Sequence, residues 1–140
     1  MTTSFWAKVH GGTTHFPIAL LIASLLFDLM GFAFPRRPES RDLHAAAFYA
    51  LLLGALASFA AAVSGLAVSG WRTGGGGALG RHHLFVWPAF GLIVGLSVWR
   101  LVVRDRASRL GYGLYLIVSF IGATLMAAAG YWGGEMLLAG

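Results

Sequence analysis

The stretch Thr14–Phe34, THFPIALLIASLLFDLMGFAF, decides how the whole chain is read. It opens on His15, continues as an apolar run, and carries one carboxylate, Asp28, before Pro35-Arg36-Arg37 interrupts it. As a helix rising 1.5 Å per residue, such a run crosses roughly 30 Å, the thickness of bilayer hydrocarbon. It is longer than the roughly 7–15-residue core of a secretory signal and no small-residue cleavage pattern follows, so it reads as a retained helix. Three further runs of similar character follow, at about Leu43–Ser69, His83–Val103 and Leu110–Trp132. Pro- and Gly-rich or arginine-rich breaks separate them: FPRRPESRD, WRTGGGGALGR and RDRASRLGYG.

Composition agrees with this reading. Of 140 residues, 58% are hydrophobic and only 11% charged, with a mean hydropathy of +0.75, far too apolar for an ordinary soluble domain of this size. The expected fold class is an all-α membrane protein: four transmembrane helices in an up-and-down bundle, forming one domain over residues 1–140. Neither an internal repeat nor a low-complexity domain is evident.

Orientation follows from the cations. Arg36, Arg37 and Arg41 lie between helices 1 and 2, and Arg100, Arg104, Arg106 and Arg109 between helices 3 and 4; only Lys8, Arg72 and Arg81 lie on the other side. Seven against three places the arginine-rich loops in the cytoplasm and both termini outside. The net charge of +5 is then an orientation signal, and the arginines flank spans instead of lining a nucleic-acid surface. Trp6, Trp71, Tyr131 and Trp132 fall at the outer interface as an aromatic belt.

That topology gathers four of the five histidines at one membrane face: His10 and His15 on helix 1, His82 and His83 on helix 3. Imidazole is a common ligand of haem iron and of copper and zinc, because its neutral ring offers a lone pair without adding charge. In a bundle with helices in sequence order, helices 1 and 3 face each other diagonally, so His15 and one of the adjacent pair would clamp a planar cofactor. Neighbouring residues differ by about 100° around a helix, so only one of His82 and His83 is expected to point inward. His83 lies nearer the smooth Gly91–Gly95 face, which makes it the expected ligand. The Gly91–Gly95 face also offers a homo-oligomer contact.

Small residues at helical spacing form seams on helix 2 (Ala47, Leu51, Gly54, Ser58, Ala61, Gly65) and helix 4 (Ser119, Gly122, Met126, Ala129, Gly133). Such seams admit a flat ring, and equally let helices pack on each other. Met126 is either an axial thioether ligand or a gap filler. The chain has no cysteine, which excludes a disulfide, a cysteine-ligated iron–sulfur cluster and covalently attached haem, so any haem is a b type. HExxH, P-loop and GxSxG patterns are absent as well. A copper or zinc site from His10, His15, His82, His83 and Glu135 is the alternative donor set.

Asp28 is the other residue that demands a partner. A bare carboxylate inside a span is costly, and His44 and Arg41 enter helix 2 at a nearby level. An Asp28–His44 or Asp28–arginine pair would serve either a proton relay beside a quinone site or a structural hydrogen bond between antiparallel helices.

The pieces HFPIALLIASLLFDLMG, RHHLFVW and GYWGGEMLLAG together make the chain resemble small bacterial membrane proteins grouped as domain of unknown function 2231, over nearly its whole length. Members of that family are sometimes fused to Rieske iron–sulfur or cytochrome domains. The resemblance therefore implies a bacterial inner-membrane protein in electron transfer, with haem b and a quinone or redox-subunit partner. Tyr131-Trp132 stands here where many relatives are expected to carry a histidine, so that ligand position is absent. Two functions of different class follow: a small cytochrome b between the quinone pool and a periplasmic redox partner, or a non-catalytic anchor or docking subunit whose histidines sit at the interface.

Overall fold

The computed structural model describes residues 5–138. Four helices follow one another: α1 (Phe5–Ala33), α2 (Ser40–Val68), α3 (Gly77–Val103) and α4 (Arg109–Leu138), with a single 3₁₀ turn at Arg104–Arg106 between the last two. No strand occurs among the described residues. All four helices are long and apolar enough to cross a membrane. The expected four spans are present, and the ends of α1 and α4 lie at the same end of the bundle as the α2–α3 loop.

Three helices run further than the apolar runs predict. α1 begins at Phe5 instead of about Thr14, α3 at Gly77 instead of His83, and α4 ends at Leu138 instead of Trp132. Hydropathy fades there, but a helix satisfies its own backbone groups and so persists into the interfacial layer. Pro17 and Pro88 consequently sit inside helices, as a membrane environment tolerates. His15 is therefore not a helix-entry residue.

Burial runs inside out relative to a soluble bundle. Leu26, Leu53, Leu56, Phe59, Leu114, Ile117 and Phe120 are exposed, whereas Ser24, Asp28, Ser58, Ser64, Ser97, Arg100 and Ser119 are buried. In lipid, apolar side chains lose nothing by facing outward, while polar groups must find partners inside. Three of these serines do so through carbonyls: Ser24 Oγ on α1 donates to Ala47 O on α2 at 2.8 Å, and Ser58 and Ser97 donate back to Gly54 O and Ile93 O on their own helices.

The helices pack as two hairpins. α1 lies closely along α2 and α3 along α4; α1 meets α4 and α2 meets α3 more sparsely, so α1 and α3 stand diagonally. The small seam of α2 makes the first hairpin close, with Ala47 and Leu51 fully buried. At Gly54 an added Cβ would stand 3.3 Å from Leu20 Cβ and 3.8 Å from the Leu21 backbone nitrogen. Gly91 and Gly95 behave differently: both are exposed and would meet nothing within 4 Å. The inward face of α3 carries His83, Ala89, Ile93, Leu96 and Arg100 instead, so the glycines are not what draws His83 inward.

This difference is testable by unfolding in mixed micelles. Gly54→Leu is expected to destabilise the bundle by about 1–3 kcal/mol through overpacking. Gly91→Leu, on open surface, is expected to stay within about 0.5 kcal/mol of wild type. A Gly54→Leu protein as stable as wild type would contradict the packing described.

Candidate functional site

Two polar regions occupy opposite ends of the bundle. Asp28 on α1 and His10 on the same helix are five turns apart, about 27 Å at 1.5 Å per residue.

The first region is built on Asp28, which is fully buried. Its Oδ2 accepts from Arg100 Nη1 on α3 at 2.6 Å and from the Tyr115 hydroxyl on α4 at 3.0 Å. Its Oδ1 lies 3.0 Å from His44 Nδ1 on α2 and accepts a short hydrogen bond from the Tyr112 hydroxyl on α4. One carboxylate thus joins all four helices, and its four lone-pair sites meet four donors, with His44 acting through Nδ1–H. Arg100 is equally engaged: Nη1 also donates to Tyr112 Oη at 3.0 Å and Nη2 to His44 O at 3.0 Å. The Tyr115 and Tyr112 rings flank the guanidinium at 5.1 and 5.4 Å, and Trp99 stacks on Tyr115.

Gly31 makes room for His44. A Cβ there would lie 2.8 Å from His44 Cε1 and Nε2, so the imidazole rests against the α1 backbone one turn from Asp28. The expected Asp28–His44 contact is therefore present. Arg41, the other expected partner, is exposed and makes no ion pair among the described residues. The arginine that pairs with Asp28 is Arg100, which lies within α3 and is 5% exposed. It is no loop cation and does not belong in the orientation count.

The second region is a cavity of about 530 Å³ at the end carrying the termini, walled by all four helices. His10, His15, His82 and His83 all line it. His10 Nδ1 lies 3.0 Å from Ala61 O and 3.2 Å from Ser64 Oγ on α2. His82 Nδ1 lies 2.8 Å from Ala129 O on α4. A carbonyl only accepts, so both Nδ1 atoms carry the proton, and in the neutral ring the lone pair belongs to Nε2. His83 is 9% exposed, and its Nδ1 has no hydrogen-bond partner among the described residues. His15 is exposed, at the rim.

Both members of the His82-His83 pair reach the cavity, contrary to the expectation that one would turn away. The cavity spans from α4 to α1 and α2, wide enough to receive two rings about 100° apart on α3. Small residues stand against two of the rings: Gly65 faces His10, with room for no Cβ (2.8 Å from Cε1), and Gly133 faces His82. Met126 also lines it. Glu135 is half-buried and outside this wall. Among the described residues no three histidine or carboxylate groups converge as ligands of one metal ion.

Fold and site together define an integral membrane protein: a four-helix bundle tied by a buried ionic node at one end and holding a histidine-lined cavity at the other. The chain belongs to the DUF2231 family, described as a predicted membrane protein, whose model matches residues 7–139. No curated protein and no solved structure matches the chain.

Tyr112, Tyr115 and Arg100 are the site residues that sequence reasoning missed. A signal existed: Arg100 sits in LSVWRLVV, apolar on both sides, and the two tyrosines are three apart, on one helical face. The node yields a prediction. Asp28→Asn or Arg100→Gln, each leaving one buried charge unpaired, is expected to cost roughly 3–5 kcal/mol. The Asp28→Leu/Arg100→Met double variant is expected to recover much of that loss. Folded yield and detergent unfolding check this; a double variant worse than both singles would contradict it.

Proposed function

We propose that this chain is a small integral-membrane b-type haem protein, carrying electrons between the quinone pool and a redox partner at the outer face of a bacterial inner membrane. The observation that carries the reading is the pair His10 and His82. They stand on diagonal helices, in one cavity, each fixed through Nδ1–H on a backbone carbonyl of a neighbouring helix. Anchoring one ring nitrogen in this way is how proteins set the tautomer and orientation of a ligating histidine. An ion held by protein alone needs three or four donors, whereas haem brings four of its own and asks one or two of the chain. The donor set therefore favours haem b over copper or zinc.

When bound, haem supplies the one-electron chemistry. The chain's own residues do the rest. His10 and His82 would hold the iron through Nε2; Gly65, Ala61, Ala129 and Gly133 leave flat space for the ring; Val86, Phe90 and Met126 keep the pocket apolar. His83, buried with a bare Nδ1, is a third donor on the wall, and with His15 at the rim forms the alternative ligand pair. The carboxylate node fits a structural role better than a proton relay, because Asp28 has no acceptor site left for an incoming proton.

A second reading rests on one observation, the exposed Gly91–Gly95 stripe, which a helix of another subunit or copy would fit. In that case the protein is a docking or anchor subunit.

The deciding measurement is a reduced-minus-oxidised spectrum with a pyridine haemochrome assay on protein purified from haem-replete cells. About one b-type haem per chain is expected, lost in His10→Ala and in His82→Ala and retained in His15→Ala. Loss in His15→Ala and His83→Ala alone would move the ligands to that pair. A colourless wild-type protein would overturn the haem reading and leave the docking subunit.

A further inference from the structure

The arginine-loop end holds a cleft of about 890 Å³ that no part of the reading above uses. Arg37, Ser40, Arg41 and Arg104 line it, with His44 and Arg100 of the carboxylate node, and no acidic residue does among the described residues. Arg100 is neutralised by Asp28. Arg37, Arg41 and Arg104 make no ion pair among the described residues. Arg37 rests 4.9 Å from the Phe34 ring and Arg104 Nε donates to Leu101 O at 3.4 Å, contacts that supply no counter-charge. Glu39 and Asp42, adjacent in sequence, stay outside the wall.

The backbone adds to the same field. α2 begins here, and its first turn has no side-chain cap: Glu39 makes none, and the Ser40 hydroxyl donates instead to Gly31 O at 3.0 Å. The positive end of the helix dipole favours an anion, as the three arginines do. Guanidinium forks match phosphate geometry in particular.

What distinguishes a lipid phosphate from a soluble one is the surface below. Tyr49, part of the cleft wall, is 64% exposed, and Leu53 and Leu56 continue down the same helix at 55% and 67% exposed. α2 packs only sparsely against α3. The cleft therefore stands at interfacial depth above an apolar track. From this we infer that it is a binding site for the phosphate headgroup of an anionic phospholipid, held by Arg37, Arg41 and Arg104 with the acyl chains along α2. Basic pockets at this depth suit such headgroups.

The test is native mass spectrometry of the full chain released from nanodiscs containing cardiolipin, phosphatidylglycerol or phosphatidylcholine. Retention of the anionic lipids over phosphatidylcholine is expected, falling at least about tenfold in an Arg37→Gln/Arg41→Gln/Arg104→Gln variant. Arg36→Gln/Arg106→Gln, at the same end but off the cleft wall, serves as the control and is expected to retain lipid like wild type. Both variants change exposed side chains outside the Asp28 node, and unfolding curves like wild type verify their fold. Equal retention of neutral and anionic lipid, or an equal loss in the control variant, would overturn the proposal. So would displacement of the lipid by millimolar inorganic phosphate, which would make the ligand a soluble anion. None of these outcomes depends on whether haem is bound.

Discussion

Everything in this bundle is arranged around one buried carboxylate. In lipid, helices gain little from burying leucine against leucine, since the acyl chains are equally apolar. A charge inside the span, by contrast, is costly unless it is paired and its hydrogen-bond sites are filled. Asp28 meets that condition only when Arg100, Tyr112, Tyr115 and His44 arrive together. Those residues lie on the three other helices, so a register slip of any one of them by a single residue rotates its side chain by about 100° and strands a donor or the charge. The node accordingly specifies register more than it adds net stability, which is the better attested use of a buried ion pair.

The node also explains how the two hairpins relate. Within each hairpin, small residues bring the helices together: Gly54 against Leu20 in the first, Gly122 against Leu92 in the second. Between hairpins packing is sparse, and the strongest polar tie is the one from Asp28 and His44 to Arg100, Tyr112 and Tyr115. Joined firmly at that end, the hairpins leave room at the other for a cavity of about 530 Å³. His10 and His82 line that room from opposite hairpins: His10 reaches within its own hairpin to Ala61, and His82 within its own to Ala129. Neither anchor bridges the hairpins.

Much of this was legible in the sequence. Four apolar runs foretold four helices in an up-and-down order, and a lone carboxylate inside the first foretold a partner, with His44 correctly placed. Counting loop arginines misplaces Arg100 because it assumes that a cation near the end of a span faces water; the apolar Val98-Trp99 before it and Leu101-Val102-Val103 after it do not say which way it turns. Tyr112 and Tyr115 carry no distinguishing mark in the sequence, since a hydroxyl in a span looks the same whether it meets a headgroup or a carboxylate. Helix ends were the other loss. Gly11, Gly12 and Gly133 lower hydropathy and helix propensity, yet their backbone groups are cheapest to satisfy by continuing the helix. Those unforeseen turns carry His10, His82 and much of the cavity wall.

The contrast between the two ends carries a final physical point. At the node every acceptor of the carboxylate is used, which makes that end rigid and chemically quiet. At the cavity each anchored imidazole has spent one nitrogen on a carbonyl and kept the other, and His83 keeps its Nδ1 unbonded. Unsatisfied nitrogens in an apolar pocket lower stability, and helix bundles readily bury polar groups on a nearby carbonyl, as Ser24 does on a neighbouring helix and Ser58 and Ser97 on their own. Gly65 and Gly133 make room for the rings that line it: an added Cβ would stand 2.8 Å from His10 Cε1 at the first and 3.5 Å from His82 Nδ1 at the second. The fold thus saturates one polar centre and lines a cavity with imidazoles at the other, where a carbonyl bond to Nδ1 fixes the tautomer and orientation of His10 and His82.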